Sequence, residues 1–170
     1  QDAFETKASQ AILLDARTGR VMFEKDADTA IPPASMSKLM TMIMVFEALK
    51  AGKMTLDQEI LISEDAWRRG GASSGGSTMY AELNSRVKLS DLIQGGIVQS
   101  ANDACHALAE YVGETEKGFI VLMNHRAKEL GMKDTHFTNA CGHDHPKHYS
   151  TAHDLLVLSG TAMKNRLFAE

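Results

Sequence analysis

Ser35 and Lys38 stand three residues apart in Ile31-Pro32-Pro33-Ala34-Ser35-Met36-Ser37-Lys38, directly ahead of the apolar run Leu39-Met40-Thr41-Met42-Ile43-Met44-Val45-Phe46. The two prolines hold the chain extended, and good helix formers follow at once, so a helix is predicted to begin near Ser35. In a first turn the backbone N–H groups lack partners and the dipole is positive, which favours an alkoxide or oxyanion beside the hydroxyl. Residues i and i+3 share a helix face, so the Lys38 amine comes within reach of the Ser35 hydroxyl, as nucleophilic catalysis requires if the lysine is to take the serine proton. That role needs a neutral amine, which burial or neighbouring positive charge would favour.

For an arbitrary Ser-x-x-Lys the ordinary assignment is an N-cap followed by a solvated lysine. The chain holds a second match, Ser85-Arg86-Val87-Lys88, with neither a Pro-Pro stop before it nor a long apolar helix behind it, and this one is expected to be chance. Ser100-Ala101-Asn102 forms a polar break between two helical patterns, where a hydroxyl and a carboxamide two residues apart can project together into a cleft. Alone, Ser-x-Asn would be a helix cap.

The elements that must position these groups can be read in order. Ala11–Asp15 and Arg20–Lys25 flank a turn with Gly19 near its end, a β-hairpin. The Ser35 helix should run to Ala51 and close at Gly52. Glu59–Ile62 is a brief extended piece, Ser63 caps a short helix through Trp67, and Gly70–Gly76 reads as a mobile loop. Ser90 is placed as the cap of a helix through Val98, interrupted at Gly95-Gly96. A helix from Asp103 to Val112 follows, then one from Thr115 to Leu130, and a last one to Lys164 behind the capping box Thr151-Ala152-His153-Asp154. A two-stranded hairpin is marginal alone, so more strands or a covering helix are expected.

With 170 residues, 44% hydrophobic and 24% charged, the chain suits one soluble domain with a real core. A net charge of −4 without a basic stripe argues against a nucleic-acid partner. No apolar run is long enough to span a membrane, and the chain opens on Gln1, so a processed N-terminus is expected. Cys105 reads as a small buried hydrophobe and Cys141 as a loop residue, with a disulfide between them left open. Cys141, His143, His145 and His148 could gather adventitiously around a metal, but a polar loop at a cleft rim is the preferred assignment, and no metal or other cofactor is expected. The ten methionines read as core filler.

Taken together the chain resembles the serine D-alanyl-D-alanine carboxypeptidases, peptidase family S11, among the low-molecular-weight penicillin-binding proteins; Ser-x-x-Lys is a known signature of these proteins and of class A β-lactamases. The resemblance runs through Ala11–Gly19, Ile31–Lys38, Gly76–Met79, Gln99–Ala104, Met123-Asn124, Leu130–Met132, Thr135–Asn139 and Tyr149–Ala152. It implies an α+β, β-lactamase/transpeptidase-like fold, with residues 1–30 as a hairpin of the sheet and 31–170 as the mainly helical region of one catalytic domain. It also implies catalytic roles for Ser35 as nucleophile, Lys38 as general base, Ser100 as proton relay and Asn102 as the group orienting Lys38 and substrate, with Ser35, Ser100 and Asn102 binding the substrate. That substrate would be a peptidoglycan stem peptide ending in D-Ala-D-Ala, with β-lactams as covalent inhibitors. The location would be periplasmic or cell-envelope, the signal peptide removed and any membrane anchor outside this chain.

The family's third motif, Lys-Thr/Ser-Gly, is absent; Arg17-Thr18-Gly19 matches it only in letters. The chain is therefore expected to be the N-terminal part of the catalytic domain, lacking the later strands. By itself it should be impaired by on the order of 10² or more through lost oxyanion and carboxylate binding. His143 follows Gly142 where relatives usually have an apolar residue. No Glu has Asn four residues later, so the Glu-x-x-x-Asn element of a class A β-lactamase is missing, and rapid antibiotic hydrolysis is the second choice. A non-catalytic wall-binding fragment is the alternative outside the enzyme class.

Overall fold

The apolar run behind Lys38 folds as the helix on which the rest is assembled. In a computed structural model describing residues 4–169, helix α1 spans Ser37–Lys50, and Met40, Met42, Ile43, Val45 and Phe46 on it are all buried. A helix apolar all round must be covered all round. One side carries a core with Met42, Val45, Phe46, Leu89, Leu92 and Leu108, and the other a core with Met40, Ile43, Met44, Phe119, Met123, Phe137 and Leu158. Methionines sit on both sides, as expected of unbranched side chains that fill irregular gaps.

Around α1 stand α2 (Glu64–Gly70), α3 (Leu89–Val98), α4 (Asn102–Gly113), α5 (Glu116–Glu129), α6 (Ala152–Lys164) and the short α7 (Arg166–Ala169). Ser63 and Thr115 cap α2 and α5 as expected, each accepting the backbone N–H three residues on at 3.0 Å. Thr151 likewise accepts from the Asp154 N–H at 3.0 Å. The expected reciprocal half of that box is not made: Asp154 instead accepts from the Asp134 N–H and the Thr135 hydroxyl, at 2.9 and 2.7 Å, and so pins the preceding loop to α6.

A second strand pair accompanies the expected hairpin, with the extended piece at Glu59 as one of its strands. Strand β1 (Ala11–Leu14) pairs antiparallel with β2 (Val21–Lys25), and β3 (Glu59–Leu61) pairs with β4 (Arg86–Lys88). The second pair is held by contacts between segments far apart in sequence, and three-residue strands carry no readable alternation. In the hairpin Val21 and Met22 remain 44% and 64% exposed.

Two further expectations are corrected. Lys88, not Ser90, precedes the first turn of α3, and that helix passes through Gly95 and Gly96 without a break. A Cβ at Gly96 would stand 2.2 Å from the Met42 methyl carbon, so the glycine lets α1 and α3 approach. The Gly70–Gly76 stretch contains a 3₁₀ turn, Ala72–Ser74, and a Cβ at Gly70 would fall 2.2 Å from the Asp103 backbone nitrogen. Gly70 and Gly76 serve close packing against the start of α4.

Candidate active site

Ser35 lies in a 3₁₀ turn, Ala34–Met36, that leads into α1, and is not in the first α-helical turn as expected. The i, i+3 relation survives the change. Lys38 Nζ stands 3.1 Å from Ser35 Oγ and 2.8 Å from the Cys141 carbonyl oxygen. Lys38 is only 5% exposed, and no carboxylate pairs with it among the described residues. A buried amine aimed at a hydroxyl and a carbonyl, without an anion to hold its charge, is well placed to exchange a proton with that hydroxyl.

Ser35, Lys38 and Ser100 line one cleft of about 420 Å³, whose other walls include Met42, Ile97 and Phe168. Unusual backbone stands at Ala34, directly before Ser35, and at Ser100 itself. Ala34 and Ser100 have φ of 48° and 54°, left-handed conformations that cost on the order of 1–3 kcal/mol for a residue with a side chain. Directly after Ser100, the Ala101 N–H is bonded to the Gly95 carbonyl at 3.1 Å and the Asn102 N–H to the Ser77 carbonyl at 2.8 Å. Beside it the wholly buried Asp103 carboxylate accepts from the backbone N–H groups of Met79, Ala81 and Ala104, each at 3.0 Å, tying residues 79–81 to the start of α4. Asn102 begins α4 next to the cleft but is not among its lining residues; its side-chain nitrogen lies against Gly76.

Composition and spacing gave little sign of the wall behind Lys38, residues 139–143. The Asn139 side-chain oxygen accepts the N–H groups of Cys141, Gly142 and His143 at 3.2, 2.7 and 2.9 Å. The Ala140 carbonyl accepts from Thr41 Oγ1 at 2.7 Å and Cys105 Sγ at 3.0 Å. Gly142, at φ 93°, lies so close to the turn that a Cβ would fall 1.8 Å from the Ala34 carbonyl oxygen. One carboxamide thus shapes a loop that presses on the Ser35 turn and presents a carbonyl to Lys38. Asn139 was legible as a loop residue, but its threefold acceptor role depends on the fold.

The cysteines are free and both buried, so the open disulfide is not formed. Burial, then the neighbouring Cys105 thiol, pushes the Cys141 thiol well above its ordinary pKa. The histidines regroup. His148 is bonded to Ser37 Oγ at 2.8 Å and accepts the Thr138 N–H at 3.0 Å, and His145 accepts the Lys147 N–H at 3.1 Å, so neither joins Cys141. His106, given no role from sequence, takes their place beside Cys141 and His143. Burial raises and His106 and Arg69 lower the Glu116 carboxyl, with a net shift below its ordinary 4.5. Burial, then the charges of His106, Arg69 and Lys38, lowers His143. Among the described residues no helix is long and apolar enough to cross a membrane.

Comparison with known proteins fits this arrangement. The family model described as D-alanyl-D-alanine carboxypeptidase matches residues 1–169. The chain is 43% identical over 148 residues to D-alanyl-D-alanine carboxypeptidase DacC of Escherichia coli K12, covering 86% of this chain and 37% of that protein. It is 36% identical over 158 residues to DacF of Bacillus subtilis, covering 93% and 39%. Among solved structures, DacD from Francisella tularensis superposes with a TM-score of 0.89 at 41% identity, over 98% of this chain and 39% of that one. Penicillin binding protein 5 from Haemophilus influenzae gives 0.92 at 33% identity, over 98% and 48%. The chain therefore spans about two fifths of the length of the curated relatives it matches, and its α+β architecture is that of the penicillin-binding and transpeptidase fold. On sequence and fold alike, the chain belongs to the D-alanyl-D-alanine carboxypeptidase family, peptidase S11.

Proposed function

We propose that this chain carries the nucleophilic half of a serine D-Ala-D-Ala carboxypeptidase, forming the N-terminal part of one catalytic domain. The observation that carries this is the 3.1 Å separation of Lys38 Nζ and Ser35 Oγ in a chain of this family. Family membership and the exposed apolar side chains of Val21 and Met22 in the hairpin support the domain assignment. The substrate is a peptidoglycan stem peptide ending in D-Ala-D-Ala, which puts the protein in the cell envelope, and β-lactams acylate the same serine.

In the proposed sequence, neutral Lys38 accepts the Ser35 proton through its lone pair as Oγ attacks the carbonyl between the two terminal D-alanines. Ser100, on the same cleft, relays that proton to the departing amine, and D-alanine leaves. Asn102, beside the cleft at the start of α4, binds the peptide backbone. Water then attacks the acyl-enzyme, giving its proton back through Lys38 and releasing the shortened stem peptide with Ser35 restored.

Incubating the full-length protein with a fluorescent penicillin and with a stem pentapeptide tests this. Expected is a long-lived covalent adduct together with D-alanine release, both lost in Ser35→Ala. Adduct that clears within seconds would favour a β-lactamase, and adduct undiminished in Ser35→Ala would overturn the nucleophile.

A further inference from the structure

Behind the loop that holds Lys38, His106, Cys141 and His143 converge in an arrangement the proposed reaction does not use. Their ligating atoms all lie within 4.8 Å of one another. His106 Nε2 and His143 Nε2 face each other at 3.2 Å, with the rings stacked 5.3 Å apart at 13°. Two nitrogens bound to one tetrahedral zinc, each at about 2.0–2.1 Å, stand about 3.3 Å apart, so this spacing already matches a shared ion. A nitrogen and a thiolate on the same ion stand about 3.6 Å apart, so Cys141 Sγ has at most roughly 1 Å to travel.

The surroundings are also built as a metal site requires. The Nδ1 of His106 is 3.0 Å from Glu116 Oε2, which as an acceptor keeps the proton on Nδ1 and leaves the Nε2 lone pair pointing at His143. Glu116 is itself anchored by Arg69, and its bond to His106 is the carboxylate–imidazole pairing that orients metal-bound histidines. His106 and Cys141 are 0% and 2% exposed, whereas His143 reaches solvent, which leaves a side from which an ion can enter. The Cys105 thiol is committed to the Ala140 carbonyl and stays outside the set.

We propose that His106 Nε2, His143 Nε2 and Cys141 Sγ bind one thiophilic divalent cation, zinc best matching the ligand set and geometry, with water as the fourth ligand. Binding releases the Cys141 thiol proton to solvent. Because the Cys141 carbonyl is a hydrogen-bond partner of Lys38, the ion sits one residue behind the catalytic cleft and clamps its wall. The site stands whether or not Ser35 is a nucleophile.

The test titrates the purified full-length protein with Co²⁺, followed by visible absorption, and with Zn²⁺, followed by calorimetry. Expected is saturation at one equivalent, with a thiolate-to-cobalt charge-transfer band. Cys141→Ser should abolish that band, and Cys141→Ser and His143→Leu should each weaken binding by about 100-fold or more. Glu116→Gln should keep the band but weaken binding about 10–100-fold. His145→Ala should change nothing. Because the His143 side chain reaches solvent, its variant separates lost ligation from lost folding, checked by circular dichroism. Absence of saturable binding, or unchanged affinity in folded His143→Leu, would overturn the site.

Discussion

Ser35-x-x-Lys38 and Ser85-x-x-Lys88 share the i, i+3 spacing and differ in everything the fold adds. The first runs from a 3₁₀ turn into a buried helix, so its hydroxyl and amine meet at 3.1 Å. In the second, Arg86–Lys88 is strand β4, Ser85 Oγ donates to the Glu82 carbonyl at 2.7 Å, and Lys88 is exposed. Extended backbone turns residues three apart to opposite faces, whereas a helix stacks them. The pattern becomes a candidate for chemistry only where a helix, burial and a third segment, here residues 139–143, act on it together.

The largest effect should come from removing the amine. Lys38→Ala is expected to lower the rate of penicillin acylation by roughly 10³-fold or more with the far-ultraviolet circular dichroism retained, whereas Lys88→Ala leaves the rate unchanged. A normal rate in Lys38→Ala would erase the distinction between the two patterns.

The wall behind Lys38 gives the next largest effect. Gly142→Ala meets the Ala34 carbonyl at φ 93° and should destabilise by about 2 kcal/mol or more in urea unfolding while slowing acylation, since the Ser35 turn must move. Gly75→Ala, at φ 74° with open space around it, should cost only about 1 kcal/mol and leave acylation alone. Asn139→Ala removes the acceptor of three backbone N–H groups, and a loss of about 2–3 kcal/mol is expected. Equal stability for this variant and the parent would mean that the loop holds its shape without that carboxamide.

The smallest effect is a pH dependence. The Thr138 N–H donates to His148 Nδ1, so the folded form needs that nitrogen unprotonated, and burial, then the charge of His136, lowers its pKa from the ordinary 6.5. With the folded pKa depressed, the unfolded chain takes the proton first. Stability is therefore complete above about pH 6.5 and falls as the pH drops below it, by no more than about 1.4 kcal/mol per pH unit. His148→Gln should flatten this acid limb in unfolding measured from pH 7.5 to 5.5; an unchanged slope would exclude His148 as its source.

Much of the fold was legible because its signals are local. Pro32-Pro33 and, behind Lys38, eight residues without a charge announced α1, and Ser63, Thr115 and Thr151 announced their helices by the capping chemistry that the structure contains. What escaped depends on contacts distant in sequence. The β3–β4 pair joins segments whose three residues each carry too little pattern. Left-handed backbone at Ala34 and Ser100 cannot be read from residues that ordinarily avoid it. The His106–Glu116 pair arises from the packing of α4 on α5, and so the histidine cluster was drawn from neighbours in the chain, His145 and His148, instead of from neighbours in space.

The most direct measurement locates the acyl group. The full-length protein is treated with a penicillin, digested with a protease and mapped by tandem mass spectrometry. The adduct is expected on Ser35 alone, absent in Ser35→Ala and undiminished in Ser85→Ala. An acyl group found on any other residue, or retained in Ser35→Ala, would contradict the assignment of Ser35 and Lys38 as the reacting pair.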